Sequence, residues 1–173
     1  MLEEGKVQVY TGNGKGKTTA ALGLAVRSLC AGNKVVIGQF IKGMDYSELK
    51  LPDHFDRLSL EQFGRDCFVY RKPTDQDYQL ASRGLEKMKA YLQDPSIDLL
   101  IFDEINVACE YKLIDPKEVV EMIKKRPKTM EVVLTGRYAP QEFIDLADLV
   151  TEMKEIKHYY KQQGLKARLG IEY

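Results

Sequence analysis

The stretch Val7-Gln-Val-Tyr-Thr-Gly-Asn-Gly-Lys-Gly-Lys-Thr-Thr19 decides the fold, because it joins a β-prone run to a glycine-rich loop and the start of a helix. Residues 7–10 favour a strand, and apolar residues recur at helical spacing from Ala21 to Leu29. The glycines let the backbone curl so that successive N–H groups point inward, and the helix directs its positive end at the same spot. A polyphosphate is the predicted occupant of this loop.

The loop departs from the usual phosphate-binding pattern in two places. G-x-x-x-x-G-K-[ST] would put glycine at position 11, where this chain has Thr11, and Lys15 adds a charge inside the loop. Lys17 can reach phosphate oxygens, and the Thr18 hydroxyl lies where such loops place a Mg²⁺ ligand. We therefore expect a phosphate path that differs in detail from that of an ordinary ATPase. The predicted nucleotide-binding residues of the loop are Gly12, Asn13, Gly14, Lys15, Gly16, Lys17, Thr18 and Thr19.

Strand and helix patterns alternate along the rest of the chain. Residues 35–40, 97–102 and 132–134 are apolar runs that predict buried strands, and residues 41–72 read as a loop with one strand. Thr74 begins a predicted helix with a capping-box pattern, and Asp115-Pro116 begins another. The first of these helices has one apolar face, which consists of Tyr78, Ala81, Leu85, Met88 and Leu92.

This alternation predicts an α/β fold with three layers and a mostly parallel sheet, as in the P-loop NTPase-like (RecA-like) domains. A chain of 173 residues is long enough for one good core, so we predict a single domain over residues 1–173. Ligands of such sheets collect at the carboxyl ends of the strands. Asp103 and Glu104 end one predicted strand and can hold Mg²⁺ there, directly or through water. Arg137 follows another predicted strand. Its role could be that of a phosphate clamp or of an ordinary surface charge, and the sequence leaves both open.

Composition excludes several classes of function. Lys plus Arg and Asp plus Glu both number 26, so no basic excess indicates a nucleic-acid partner. No apolar run is long enough to predict a membrane span or a secretory leader, which indicates a cytoplasmic protein. The two histidines, His54 and His158, are too distant for a histidine-based metal site. Three cysteines are predicted to be reduced core thiols: Cys30, Cys67 and Cys109.

Machinery for phosphoryl transfer is not evident in the sequence. Such enzymes need a group that orients the nucleophile and a charge that stabilises the γ-phosphoryl. A guanine-reading Asn-Lys-x-Asp motif and an arginine-rich lid are both missing from the sequence. From the residues alone, a P-loop ATPase, a small-molecule kinase and a non-catalytic nucleotide-binding regulator all stay open.

Further segments add a more specific signal: Phe102-Asp-Glu-Ile105, Leu134-Thr-Gly-Arg137, Ala147-Asp-Leu-Val-Thr-Glu-Met153, Ile156-Lys-His158 and Gly170-Ile-Glu-Tyr173. Together with the loop, they resemble the P-loop type of ATP:corrinoid adenosyltransferase. The resemblance implies attack of cobalt(I), in a reduced corrinoid such as cob(I)alamin, on the ribose 5′-carbon of ATP, with triphosphate leaving. ATP would be the cosubstrate, the corrinoid the second substrate, and Mg²⁺ the metal.

The same resemblance implies roles for individual residues. Lys15, Lys17 and Arg137 would neutralise the triphosphate, and members of the family bind ATP reversed relative to ordinary P-loop enzymes. Phe68 and Tyr70, within Cys67-Phe-Val-Tyr70, would match two aromatic residues that displace the lower axial ligand of cobalt, with tyrosine in place of the family's tryptophan.

The resemblance also implies partners and one more contact. Arg27 falls where the family has an arginine near the nucleotide. A reductase would supply the electron that generates cobalt(I), and the family leads us to expect a homodimer.

Overall fold

Six strands form one sheet in the computed structural model, which describes residues 3–65 and 72–173. The strands are β1 (Val7–Thr11), β2 (Val35–Phe40), β3 (Leu58–Phe63), β4 (Leu99–Asp103), β5 (Glu131–Thr135) and β6 (Leu149–Glu152). Their spatial order is β3-β2-β4-β5-β1-β6, and every neighbouring pair is parallel. Helices flank this sheet, so the predicted RecA-like α/β fold is confirmed, with a fully parallel sheet.

The helices connect these strands. They are α1 (Lys17–Cys30), α2 (Asp75–Tyr91), α3 (Ile105–Glu110), α4 (Pro116–Ile123), α5 (Gln141–Leu146) and α6 (Tyr159–Gln163), with a 3₁₀ helix at Ser47–Asp53. The predicted starts of α2 and α4 are confirmed, because Thr74 forms a capping box with Asp77 and the Asp115 carboxylate accepts a bond from the backbone N–H of Lys117. The 3₁₀ helix, α3, α5, α6 and β6 were missed, since elements this short carry little periodicity.

The core lies on both faces of the two central strands. Leu100 and Phe102 of β4 join the larger apolar cluster together with Met88 of α2. Leu99 and Ile101 belong to the second cluster, which contains the inner face of α1. Burial on both faces is what a parallel sheet with helices on each side requires, and it explains the continuous apolar runs in the sequence.

Two sequence predictions about burial are wrong in detail. Tyr78 lies in the first turn of α2 and is 44% exposed, because the apolar contacts of this helix begin one turn later at Ala81. Cys30 ends α1 and is exposed. Cys109 is a buried free thiol, as predicted, whereas Cys67 lies outside the described residues.

Within residues 3–65 and 72–173, no helix is both long and apolar enough to cross a bilayer.

Candidate active site at the carboxyl edge of the sheet

A cleft of about 990 Å³ opens at the carboxyl ends of the strands. Loop residues 14–19 and the first turns of α1 form one wall, and the 3₁₀ helix and His54 form another. Residues 170–173, far away in sequence, lie at the same opening. The parallel topology explains this convergence, because it brings the loops after β1, β2, β4 and β5 to one edge.

The glycine-rich loop is tightly built. Gly12 and Gly16 have φ values of 94° and 119°, and a Cβ atom added at Gly12 would lie 2.5 Å from the Met153 carbonyl oxygen. The backbone N–H of Gly14 donates to that same oxygen at 2.6 Å. The chain just after β6 therefore forms a wall of the loop, and only glycine fits against it.

The Lys17 side chain is buried beneath this loop. Its Nζ donates to the carbonyl oxygens of Gly12 and Gly14, both at 2.7 Å. Burial lowers the pKa of the Lys17 ammonium, while the Glu104 carboxylate opposes that shift. The lysine side chain predicted to serve the loop is thus held by the loop's own carbonyl groups.

Asp103 is the centre of a buried polar cluster. Its Oδ1 accepts hydrogen bonds from the Thr18 hydroxyl at 2.9 Å and from the Thr135 hydroxyl at 2.6 Å. Its Oδ2 accepts from Gln39 Nε2 at 3.2 Å and from Lys42 Nζ at 2.7 Å. Asp103 therefore connects the phosphate loop to the ends of β2 and β5. Sequence reasoning missed Gln39 and Thr135, although a polar residue near the end of an apolar run was a usable signal.

Lys42 is a charged residue of the site that the sequence prediction missed. Its Nζ lies 3.6 Å from Glu48 Oε1 and 3.4 Å from the Thr18 hydroxyl oxygen, in addition to its ion pair with Asp103. Burial alone would lower the pKa of Lys42, but the neighbouring carboxylates more than offset this effect, and the pKa is raised. Lys42 is thus a charged ammonium at the wall of the cleft.

Glu104 is the free carboxylate of the site. It has φ 61° at the junction of β4 and α3, its backbone N–H donates to the Thr135 hydroxyl at 3.0 Å, and it lines the cleft. No hydrogen bond or ion pair from the described part of the chain reaches its side chain. Burial raises the pKa of Glu104, and the charge of Asp103 adds to that shift. A nearby cation would stabilise this carboxylate in its ionised form.

The donor atoms suit a hard divalent cation. The Thr18 hydroxyl donates its proton to Asp103, so its oxygen can act as a ligand where the long contact from Lys42 Nζ, at 3.4 Å, gives way. Glu104 offers an unpaired carboxylate. In the ranges 3–65 and 72–173, no group of three or more His, Cys, Asp or Glu side chains forms a metal site. A metal here would therefore need oxygens from phosphate or water, as Mg²⁺ commonly uses.

Lys15 pairs with the C-terminal segment. Its Nζ lies 2.8 Å from Glu172 Oε1 and 3.1 Å from the Tyr159 hydroxyl, which also donates to Glu172. Arg168 Nη2 is a further partner of Glu172, at 3.1 Å. Hydrogen bonds from Arg168, Lys15 and Tyr159 hold the pKa of the Glu172 carboxyl well below its usual range. His158 lines the cleft beside this cluster.

The other predicted site residues are placed as follows. Arg137 is exposed and lines the cleft, as does Thr19, and Asn13 is exposed in the loop. Arg27 lies in the last turn of α1, is exposed and is not one of the residues that line the cleft. Two predicted residues lie outside the described part of the chain: Phe68 and Tyr70.

Comparison with known proteins identifies the family. Residues 3–173 match the family model described as ATP:corrinoid adenosyltransferase BtuR/CobO/CobP. The chain belongs to the ATP:corrinoid adenosyltransferase family. The resemblance inferred from the loop and the C-terminal motifs is thereby confirmed, and the match extends over nearly the whole chain.

Curated relatives of this family agree. A corrinoid adenosyltransferase of Sinorhizobium sp is 39% identical over 175 residues, covering 99% of this chain and 81% of the relative. That of Escherichia coli strain K12 is 35% identical over 174 residues, covering 99% and 87%. Corrinoid adenosyltransferase CobA of Salmonella typhimurium strain LT2 is 34% identical over 173 residues, with the same coverage.

Proposed function

We propose that this chain transfers the 5′-deoxyadenosyl group of ATP to the cobalt(I) of a reduced corrinoid and releases triphosphate. The observation that carries the proposal is a phosphate loop at one end of a cleft of about 990 Å³. Small-molecule sites commonly occupy roughly 300–1,000 Å³, so this cleft offers room for a nucleotide and for the approach of a second substrate. Family membership supplies the identity of the acceptor.

The reaction balances without cleavage of any bond to phosphorus. Cobalt(I) donates an electron pair to C5′ of the ribose, the C5′–O5′ bond breaks, and its electron pair leaves with the triphosphate. The product is an adenosylated cobalt(III) corrinoid. The protein must then align cobalt with carbon and stabilise the charge that develops on the leaving oxygen. Lys15 and Lys17 belong to the loop, and Arg137 lines the same cleft; we assign these three cations to the triphosphate.

Mg²⁺ is the metal that the donor set fits best. We assign Thr18 and Glu104 to it, with Asp103 orienting the Thr18 hydroxyl. When bound, Mg²⁺ would add positive charge to the triphosphate. Burial and the neighbouring Asp103 raise the pKa of Glu104, so a bound divalent cation would favour the ionised carboxylate.

The corrinoid side of the site rests on the sequence. We propose that Phe68 and Tyr70 displace the lower axial ligand of cobalt and keep water away from the four-coordinate centre. Arg27 is retained as a nucleotide contact, which would require ATP to extend along α1 beyond the cleft wall.

Three further proposals concern the setting of the enzyme. A reductase must supply the electron, since cobalt(I) is strongly reducing and has to be generated before attack. A homodimer is expected from the family, and sedimentation velocity would test it. A cytoplasmic location stays a prediction from the sequence.

The deciding experiment identifies the products. Under anaerobic conditions, the protein with Mg-ATP and chemically reduced cobalamin is expected to consume the cobalt(I) absorbance and to release triphosphate. ADP and phosphate formed independently of the corrinoid would favour the ATPase, and ATP binding without turnover would favour the regulator. We expect Lys17→Ala to abolish transfer and Phe68→Ala to impair mainly the use of corrinoids that carry a lower ligand. Normal rates in both variants would contradict these assignments.

A further inference from the structure

Lys42 contacts two residues of the proposed phosphate and metal site, Thr18 and Asp103. It follows Ile41, a non-glycine residue with φ 62°, so the backbone turns sharply at the end of β2. Only 13% of its side chain is exposed, and the ammonium lies 5.0 Å from the centre of the Tyr46 ring. The turn at Ile41 and the burial of the Lys42 side chain together direct its ammonium towards Asp103.

Asp103 has no acceptor capacity to spare in this arrangement. Two donors reach each of its oxygens, and Lys42 is the only charged one among these four. The same ammonium lies 3.4 Å from the Thr18 hydroxyl oxygen, the atom we assign to Mg²⁺, and 3.6 Å from Glu48. A divalent cation near Thr18 and Asp103 would face this ammonium at close range, and like charges at such a distance repel each other strongly in a partly buried site.

We propose that Lys42 is a positioning residue that acts as a built-in counter-ion. It neutralises Asp103 and Glu48 while the site holds no divalent cation, and it leaves Asp103 and Thr18 when Mg²⁺ binds. Metal binding is then an exchange of one cation for another. The proposal rests on the Mg²⁺ site of the proposed function and adds a residue that competes with the metal.

An exchangeable Lys42 would stabilise the protein without metal and still allow a metal to bind, which a permanent ion pair would not do. Without Lys42, Asp103 and Glu48 would be nearly buried charges with no counter-ion, which is costly for a folded protein. With Lys42, the apoprotein is stable, and the carboxylates become available only where a cation of higher charge replaces the ammonium. The displaced ammonium remains at the cleft wall, beside the position of the triphosphate.

The test is the binding of Mn²⁺, a paramagnetic substitute for Mg²⁺, to the protein without nucleotide, measured by electron paramagnetic resonance. Lys42→Met keeps an unbranched side chain that is one atom shorter and removes the charge, and we expect about tenfold tighter binding or more. Lys42→Arg keeps the charge and should bind Mn²⁺ as the unmodified chain does. Lys50→Met removes a cation from the same cleft, one that forms no ion pair with a described residue, and should change Mn²⁺ affinity less than twofold.

Two more measurements complete the test. Adding Asp103→Asn to Lys42→Met should abolish the gain in affinity, and Mg²⁺ should raise the melting temperature of Lys42→Met more than that of the unmodified chain. If Lys42→Met does not fold, the ammonium signals of ¹⁵N-lysine in the unmodified chain decide, with Lys42 assigned through Lys42→Arg. We expect Mg²⁺ to shift the Lys42 signal.

The proposal is overturned by equal Mn²⁺ affinity in Lys42→Met and the unmodified chain, by an equal gain in Lys50→Met, or by an unperturbed Lys42 signal. Its failure is separable from that of the proposed function. Adenosyl transfer by the unmodified chain together with an unchanged Mn²⁺ affinity in Lys42→Met would refute the cation exchange and leave the proposed reaction standing. A gain in Mn²⁺ affinity in Lys42→Met, with no adenosyl transfer by the unmodified chain, would refute the proposed reaction and leave the cation exchange standing.

Discussion

Replacement of Thr135 by valine tests the buried cluster that holds the site together. The Thr135 side chain is fully buried; its hydroxyl donates to Asp103 Oδ1 at 2.6 Å and accepts from the backbone N–H of Glu104 at 3.0 Å. Valine has nearly the same shape and β-branching, so Thr135→Val removes both hydrogen bonds and leaves the packing in place.

The magnitude follows from these two bonds. A hydrogen bond to a charged group contributes about 1.5–3 kcal/mol, and a buried N–H left without a partner costs about 1–3 kcal/mol. Asp103 keeps three other donors, so we expect the free energy of unfolding to fall by about 2–4 kcal/mol. Thr135→Ser keeps the hydroxyl and loses one methyl group, which costs about 1 kcal/mol.

Urea denaturation of the three proteins measures this difference. A lower midpoint with an unchanged slope would identify a loss of stability rather than a change in the denatured state. If Thr135→Val is no less stable than Thr135→Ser, the two hydrogen bonds do not stabilise the cluster and the reasoning fails.

Two further predictions concern ionisation. The hydrogen bonds from Arg65 hold the pKa of the Asp77 carboxyl well below its usual value of 3.8, so the folded state binds this proton less readily than the unfolded state. The resulting stability is present above pH 4 and is lost as the pH falls below that value. The Asp77→Asn variant should therefore be less stable than the unmodified chain at pH 7 and should lose less stability on acidification. Melting temperatures of the two proteins that fall in parallel between pH 7 and pH 3 would refute this. Burial raises the pKa of the Cys109 thiol to about 12, which makes this thiol unreactive in the folded protein. In a Cys67→Ser variant, only Cys30 should therefore react with a thiol reagent before unfolding. Two rapidly reacting thiols in the folded variant would contradict this prediction.

The parts of the site that follow a strand in sequence were predictable. The loop, Lys17, Thr18 and the Asp103-Glu104 pair each stand directly beside a strong strand or helix pattern, and a parallel sheet brings such positions to one edge. The chemistry of the acceptor came from motif resemblance, since composition and periodicity alone left several functions open.

The missed parts depend on contacts between distant segments. Lys15 and Glu172 are 157 residues apart, and their ion pair arises because the segment after β6 folds back onto the loop. Lys42 meets Asp103 only because β2 and β4 are neighbours in the sheet. Strand order and the turn at Ile41 set these contacts, and neither can be read from local periodicity.

The most direct test of the account follows the ribose 5′-carbon. ATP labelled with ¹³C at C5′ is incubated anaerobically with the protein, Mg²⁺ and cob(I)alamin, and the products are examined by ¹³C and ³¹P NMR. The account predicts that the labelled carbon becomes bonded to cobalt while one equivalent of triphosphate is released. A label that remains attached to oxygen in ADP or AMP, with phosphate or diphosphate as the partner product, would contradict it.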